Sequence, residues 1–364
     1  MSAQPTIISP IPAASPRSIW TGEPEKSAPD TLDASTLRTF GLHTETSLDK
    51  LCASYSKKQF VAEGLIARGS LNLVAGDSGL GKSSLLYQLG LCVAAGIPWL
   101  GVPTTKGRVV YLDFENGELQ SQRLRNSLMR HLGILECGDN FLTHYGDSTL
   151  NLEKLIPAVR PSLVIVDTLR AYCPEFEEKN SVAGRLLKNL RSVTRDTGTA
   201  IVLIHHTKKP GEHGVPSLED TPPLPWLNQA SGARALVNQT DFRLGIDLAK
   251  PRRTGNAGVA VCSEEIALVL RGNRRVFGEW GPIHLARCFD DEGEPVGYRR
   301  ISGSELLPPD QQRIYDSLSP TFTFTEAEQI YGHKGQPTSN FLKKCERLEI
   351  VQRLPKGYAK VNPQ

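Results

Sequence analysis

No apolar run in this sequence approaches the roughly 20 residues that a membrane-spanning helix requires. The N-terminus lacks a basic stretch followed by an apolar core, the pattern of a secretory signal. Seven cysteines are present, at positions 52, 92, 137, 173, 262, 288 and 345, yet none belongs to a C-x-x-C pair. The odd count and irregular spacing argue against a disulfide framework or a zinc site and for reduced thiols in a cytoplasm. Neither sign of charge dominates: 42 Lys and Arg stand against 39 Asp and Glu, a net charge of +3. Overall basicity therefore does not advertise nucleic acid, and any such contact must come from a local patch. There is no internal repeat. What remains is the expectation of a soluble, cytoplasmic protein of 364 residues, 39% apolar, long enough for one large domain and one or two small ones.

Residues 1–45 are rich in Pro, Ser, Thr and Ala without a sustained period, which predicts a disordered leader with a short helix near Leu32–Phe40. From 46 to about 305 the character is that of a folded domain. Apolar runs at 70–76, 108–115, 141–147, 162–169 and 200–207 read as strands, and amphipathic stretches between them read as helices, the first stopped by Gly96. This alternation predicts an α/β fold with a mostly parallel sheet covered by helices. Residues 208–229 break the pattern with Pro, Gly and charge and read as a long loop. Beyond it, "ALVNQTDFRLGIDL", "EEIALVLRGNRRVFGEWGPIHLAR" and "GEPVGYRRI" alternate like antiparallel strands, with "AKPRRTGNAG" inserted between two of them. Residues 306–364 form a third unit. Three short helices ("DQQRIYDSL", "TEAEQIYG", "PTSNFLKKCERLEI") and a hairpin around Pro355–Gly357 match a small winged-helix domain.

The most informative stretch is "VAGDSGLGKSSLLYQLG", Val74–Gly90. Gly76, Asp77, Ser78, Gly79, Leu80, Gly81, Lys82 and Ser83 satisfy G-x-x-x-x-G-K-[ST], and Ser84 follows. Glycines let successive N–H groups turn toward phosphate oxygens, and the helix that starts there adds its N-terminal partial positive charge. Lys82 would reach the β- and γ-phosphates of ATP, and Ser83 would bind Mg²⁺. The required context, a strand before and a helix after, is present.

Magnesium needs a second anchor from an acid at a neighbouring strand end. Asp167, after the unbroken run in "LVIVDT", is the better choice over Asp113 and Glu115 in "VVYLDFEN". Glu115 stands at its strand tip, where it could orient or deprotonate the attacking water, or be an ordinary polar residue. Asp113 reads as structural. His205, His206 and Thr207 end a further strand and would aim at the same sheet edge, as γ-phosphate sensors or as histidines satisfied by backbone. A zinc site with His213 lacks a fourth ligand at suitable spacing.

These parts in this order resemble the RecA-like P-loop ATPase core. Within that superfamily the chain is most similar to RepA-type replicative helicases, with their AAA-type relatives on plasmids and mobile elements. "FVAEGLIARGSLNLVAGDSGLGKS" and "HHTKK" are the most family-specific pieces, and the likeness spans about residues 55–290. The resemblance implies ATP hydrolysis with Mg²⁺, Glu115 as catalytic glutamate, Asp167 as the Walker B acid and His206 as sensor. It also implies a ring, usually hexameric, moving along single-stranded DNA, with an arginine finger crossing between subunits. Arg274 is favoured for that finger over Arg234, Arg252, Arg253, Arg271 and Arg275. The loop 208–229, with Lys208, Lys209 and Trp226, would face the DNA channel or be a plain linker. In the tail, Asn340, Lys343, Lys344 and Arg347 on one helix, followed by Arg353, Lys356 and Lys360, suit duplex DNA or, with the same fold, protein docking. An ATP-switched DNA-binding regulator, or a recombination or signalling ATPase that does not unwind, are the competing expectations.

Overall fold

The computed structural model describes residues 44–45, 60–146, 150–177, 179–207, 216–230, 233–249, 252–253, 260–261, 266–275, 278–348 and 350–361. The expected leader, with its helix near residues 32–40, lies outside them apart from Thr44 and Glu45. A short hairpin, β1 (Phe60–Ala62) and β2 (Ile66–Ala67), leads into β3 (Leu71–Gly76) and α1 (Lys82–Ala95). Next come β4 (Val109–Asp113), α2 (Glu118–His131), β5 (Phe141–Tyr145), α3 (Leu152–Val159) and β6 (Leu163–Asp167). A single turn α4 (Leu169–Tyr172), then α5 (Asn180–Thr197), leads to β7 (Ala200–His206). Short helices α6 (Pro223–Leu227) and α7 (Ala233–Gln239) precede β8 (Phe242–Leu248). The rest of the core is antiparallel: the small pair β9 (Arg252–Arg253) and β10 (Ala260–Val261), then β11 (Ile266–Arg274), β12 (Gly278–Phe289) and β13 (Pro295–Arg300).

Among the described residues nine strands form one sheet in the order β13-β12-β11-β8-β3-β7-β6-β4-β5. From β8 to β5 every neighbouring pair is parallel; β11, β12 and β13 extend the sheet antiparallel. Helices cover both faces, so the central strands are apolar on both. In β4, Val109 and Tyr111 pack with Leu85, Leu89 and Leu128 on one face, while Val110 and Leu112 pack with Ile156, Leu187 and Leu190 on the other. Truncating one fully buried leucine here, such as Leu73 or Leu187, costs about 2–5 kcal/mol.

The sheet curls over α1. Although β13 is four strands away from β3, its edge returns to α1. There Gln88 Nε2 donates to the Tyr298 carbonyl at 2.7 Å and its Oε1 accepts from the Tyr298 N–H at 3.0 Å. The side-chain amide of Gln88 thus pairs with the strand as another strand would.

Two expectations are corrected. Residues 235–239 are helical, not extended: Leu236 and Val237 bury against the sheet face, and Thr240 closes the turn by donating from N–H and Oγ1 to the Leu236 carbonyl. Strand begins only at Phe242, and β8 pairs parallel with β3 on one side and antiparallel with β11 on the other. Nor are residues 216–229 a loose linker. Leu218, Trp226 and Leu227 are buried, and Trp226 Nε1 donates to the Pro216 carbonyl at 2.9 Å. Gly245 makes room beneath them, since a Cβ there would lie 2.9 Å from the Trp226 ring. Residues 208–215, including Lys208, Lys209 and His213, lie outside the described residues.

The tail comprises α8 (Pro309–Ser317), β14 (Thr321–Phe322), α9 (Phe324–Tyr331), α10 (Gln336–Arg347), β15 (Val351–Leu354) and β16 (Gly357–Lys360). Its strands form a separate antiparallel sheet, β14-β16-β15. Leu307, Phe322, Phe341, Leu342, Cys345 and Val351 give the tail a core of its own. A reciprocal cap, Thr323 with Glu326, fixes the start of α9.

Candidate functional site

Helix α1 begins at Gly81, whose φ of 83° belongs to the left-handed region, and no side chain caps it. The N–H groups of its first turn are therefore left for a ligand, which is the physical condition for anion binding at a helix start. Gly76 opens the loop at a close backbone approach: a Cβ there would stand 2.6 Å from the Ile246 carbonyl oxygen. Lys82 folds back, its Nζ donating to the Asp77 carbonyl at 2.6 Å and standing 3.3 Å from His206 Nδ1. Burial lowers the Lys82 pKa, and the charges of Asp167, Glu115 and Asp77 oppose that shift.

Strand β7 lies between β3 and β6 and pairs His206 directly with Gly76. A charged lysine only donates, so in this contact His206 Nδ1 accepts and Nε2 faces the other way. His206 Nε2 lies 3.7 Å from Glu115 Oε1. The same Oε1 accepts from Thr168 Oγ1 at 2.7 Å. The His206 imidazole beside it is the main influence that lowers the Glu115 pKa; burial works against it, and the Thr168 hydrogen bond and the Lys82 charge add to it. Glu115 is thus held ionised, with 41% of its side chain exposed.

Asp167 ends β6 fully buried. Its Oδ2 accepts from the Tyr111 hydroxyl at 2.6 Å, while Oδ1 is buried without a hydrogen-bond partner. Burial pushes its pKa up to about 6; hydrogen bonds from Tyr111 and Ser83 pull it back. A carboxylate oxygen left unpaired in the interior beside a serine hydroxyl is what a hard divalent cation needs, so Ser83 and Asp167 fit Mg²⁺. Asp113, on the neighbouring strand, is spent on structure. Its Oδ1 accepts from Asn116 N–H at 2.9 Å and its Oδ2 from Ser121 Oγ at 2.7 Å, which fixes the turn that carries Glu115.

The structure brings together Gly76, Asp77, Gly81, Lys82, Ser83, Glu115, Asp167 and His206, and Ser78, Gly79, Leu80 and Ser84 complete the loop and first turn. It separates others. His205 points to the opposite sheet face because side chains alternate along a strand; it is buried, with Nε2 3.7 Å from Glu177 Oε1. Among the described residues no group of three or more His, Cys, Asp and Glu could hold a metal ion. Trp226 is 2% exposed, so it offers no stacking surface for bases. Arg271 is committed: Nη1 donates to the carbonyls of Leu218 and Thr221 at 3.3 and 3.0 Å, and Nη2 pairs with Glu279 at 3.1 Å. Arg274 pairs in register with Phe242 at the start of β8, so it stands at the sheet edge opposite the phosphate loop, with Nη2 donating to the Glu279 carbonyl at 3.2 Å. In the tail, Lys360 lies over the Tyr315 ring at 4.7 Å and Lys344 donates to Gln311 at 2.9 Å, which leaves Lys343, Arg347, Arg353 and Lys356 as exposed cations. Tyr111, the partner of Asp167, is not singled out by the sequence, its two-residue spacing from Asp113 being the only signal; Thr168 stands out there only as the threonine after Asp167, not as a partner of Glu115.

One parallel strand between the phosphate-loop strand and the strand of Asp167, with an acid on the strand beyond, defines an α/β protein with a RecA-like P-loop core. The profile of a family described as AAA domain matches residues 36–212, a little under half of the chain. The DNA repair protein RadA of Halalkalibacterium halodurans is 30% identical over 164 residues, 43% of this chain and 32% of that protein. RadA of Listeria monocytogenes is 26% identical over 204 residues, 54% of this chain and 39% of that one. The chain thus spans about a third of the length of the curated relatives it matches. Among solved structures, a RadB recombinase aligns at a TM-score of 0.42 and 17% identity, over 65% of this chain and 92% of that one. A KaiC-like protein from Pyrococcus horikoshii OT3 aligns at 0.40 and 13% identity, over 67% and 97%. No described helix is long and apolar enough to cross a membrane.

Proposed function

We propose that this chain is a Mg²⁺-dependent RecA-like ATPase that works on DNA in the cytoplasm. In its narrower form the proposal is a RepA-type replicative helicase, or helicase-like motor, of a plasmid or mobile element. The observation that carries it is the line Lys82–His206–Glu115–Thr168 beside Asp167 at the carboxyl edge of the sheet.

The free N–H groups of α1 receive the β- and γ-phosphates of ATP, and Lys82 turns from the Asp77 carbonyl to them. Added phosphate charge restores the lysine pKa that burial lowers. Ser83 and Asp167 hold Mg²⁺, which when bound neutralises phosphate charge. Glu115, held ionised, accepts a hydrogen bond from the attacking water and orients it. His206 touches both the phosphate-binding lysine and the water-orienting carboxylate, so it reports the γ-phosphate to the chain that follows Thr207.

An arginine at the opposite sheet edge, as Arg274 is, can meet a phosphate only on another copy. A head-to-tail contact that closes into a ring, hexameric in the narrower reading, would provide that meeting. The tail, residues 306–364, serves as a winged-helix module whose exposed Asn340, Lys343 and Arg347 face duplex DNA, with Arg353 and Lys356 on the wing.

ATP turnover with and without single-stranded DNA tests the proposal. Strong stimulation that Glu115→Gln abolishes supports a DNA-coupled ATPase; tight ATP binding without turnover overturns it in favour of an ATP-switched DNA-binding regulator. Similarity to proteins named for DNA repair favours a second reading, a repair or recombination ATPase that does not unwind. A forked-duplex assay separates the two, since only the helicase releases the displaced strand.

A further inference from the structure

A cleft of about 350 Å³ lies between the core sheet and the tail. Trp280 of β12 and Pro282 form part of one wall; Arg300, at the end of β13, and Arg347, in the last turn of α10, line it too. Trp280 is half-buried, with its ring edge-on to Phe242 at 6.1 Å. The other described tryptophans, Trp99 and Trp226, are each 2% exposed. Arg300 and Arg347 are both exposed. The carboxylate that lines the cleft, Glu279, is offset by Arg271 at 3.1 Å.

Helix α10 joins this cleft to the rest of the tail. Gln336, Asn340, Lys343 and Arg347 follow one another at spacings of four, three and four residues, so they form one exposed stripe. Thr338, Phe341, Leu342 and Cys345 bury the other face. Arg347 is both the last member of the stripe and part of the cleft lining.

We infer that the cleft takes a single strand of nucleic acid, with one base stacked on Trp280 and the flanking phosphates on Arg300 and Arg347. An aromatic ring and two cations lining one cleft are the chemistry that holds unpaired bases without regard to sequence. The cleft has the size of a small-molecule pocket, enough for about one unpaired nucleotide and too small for a duplex. This rests on the DNA reading above and sharpens it: a duplex end on the α10 stripe would pass one strand into the cleft.

The full chain carrying Trp20→Phe, titrated with oligothymidylate, tests it through tryptophan fluorescence. Quenching is expected, and adding Trp280→Phe removes it. Arg300→Ala with Arg347→Ala should weaken oligothymidylate binding about ten-fold at moderate salt. It should also reduce the slope of log affinity against log salt by about 1.4, two phosphate contacts on a single strand. If oligothymidylate binds by anisotropy yet leaves the fluorescence and the salt slope unchanged, the cleft is not the site while the DNA reading stands; a protein occupant gives the same flat result. If neither single-stranded nor duplex DNA binds at all, both readings fall together.

Discussion

The hydroxyl of Tyr298 occupies the space that a Cβ on Gly81 would need. Tyr298 belongs to the last strand of the core sheet and Gly81 to the phosphate loop, so the sheet edge and the loop are built against each other. Gly81→Ala faces two separate obstacles: a left-handed φ, which costs about 1–2 kcal/mol for a residue with a Cβ, and the phenol. Tyr298→Phe removes only the second. We expect Gly81→Ala to lower the thermal midpoint and weaken ADP binding, and Tyr298→Phe to recover part of both. Double-mutant coupling of roughly 0.5–3 kcal/mol is the signature; strict additivity would mean that the two residues do not limit each other.

His206 stands between Lys82 at 3.3 Å and Glu115 at 3.7 Å, and it is the first cause of the lowered Glu115 pKa. His206→Ala removes that contact without removing the phosphate loop. ATP affinity should stay within a few-fold of the parent, while turnover drops by about 10²–10⁴, the range of a lost acid–base arrangement. Glu115→Gln combined with His206→Ala should be little worse than either alone, because the two act as one unit. Turnover and nucleotide affinity measured on the three variants decide it; a purely multiplicative loss contradicts the relay.

How legible this was from the sequence depends on the range over which each residue's partner lies. The phosphate loop and five of the six parallel strands were legible because their signals are local: glycines at fixed offsets and unbroken apolar runs between helical patterns. The sequence preferred Asp167 to Asp113 because an unbroken apolar run precedes it; what commits Asp113 to structure, its contacts with Asn116 and Ser121, shows only in the fold. His205 was misread because a pair of histidines at a strand end looks like one feature, while the pleat sends them to opposite faces. Residues 235–239 were misread because three adjacent apolar side chains satisfy a buried helix turn as well as a strand. The packing of 216–230 was invisible, since its partners, Gly245, Asp247 and Arg271, lie in strands that arrive later in the chain.

Arg271 pins that segment. Its side chain is 15% exposed and donates to carbonyls of Leu218, Glu219 and Thr221. Lysine offers a point charge in place of a planar fork, so Arg271→Lys should fail nearly as badly as Arg271→Ala. Both should cost about 2–4 kcal/mol, since each leaves carbonyls without the donors they had. Hydrogen exchange should show lost protection concentrated in residues 216–222, with the sheet core unchanged. Uniform loss across the whole sheet would instead mean that Arg271 supports the fold and not this segment.

Asp167 gives the clearest link between stability and pH. Burial raises its pKa from the usual carboxylate range to about 6, so the folded chain binds the proton more tightly than the unfolded chain does. Between about pH 4 and 6 the unfolded state loses this proton first, and stability falls as pH rises through that window. Above it the ionised, metal-free carboxylate burdens the fold. Asp167→Asn removes that burden while keeping an oxygen for the Tyr111 hydroxyl. At pH 7, without nucleotide or Mg²⁺, Asp167→Asn should therefore unfold at a higher temperature than the parent, by an amount worth about 1–3 kcal/mol. The difference should vanish near pH 4, where both forms are neutral. With Mg²⁺ and ATP the order should reverse, because only the parent gains stability from the bound cation. A variant less stable than the parent at pH 7 in the absence of ligand would show that Tyr111 and Ser83 already satisfy the charge and that no cation is needed there.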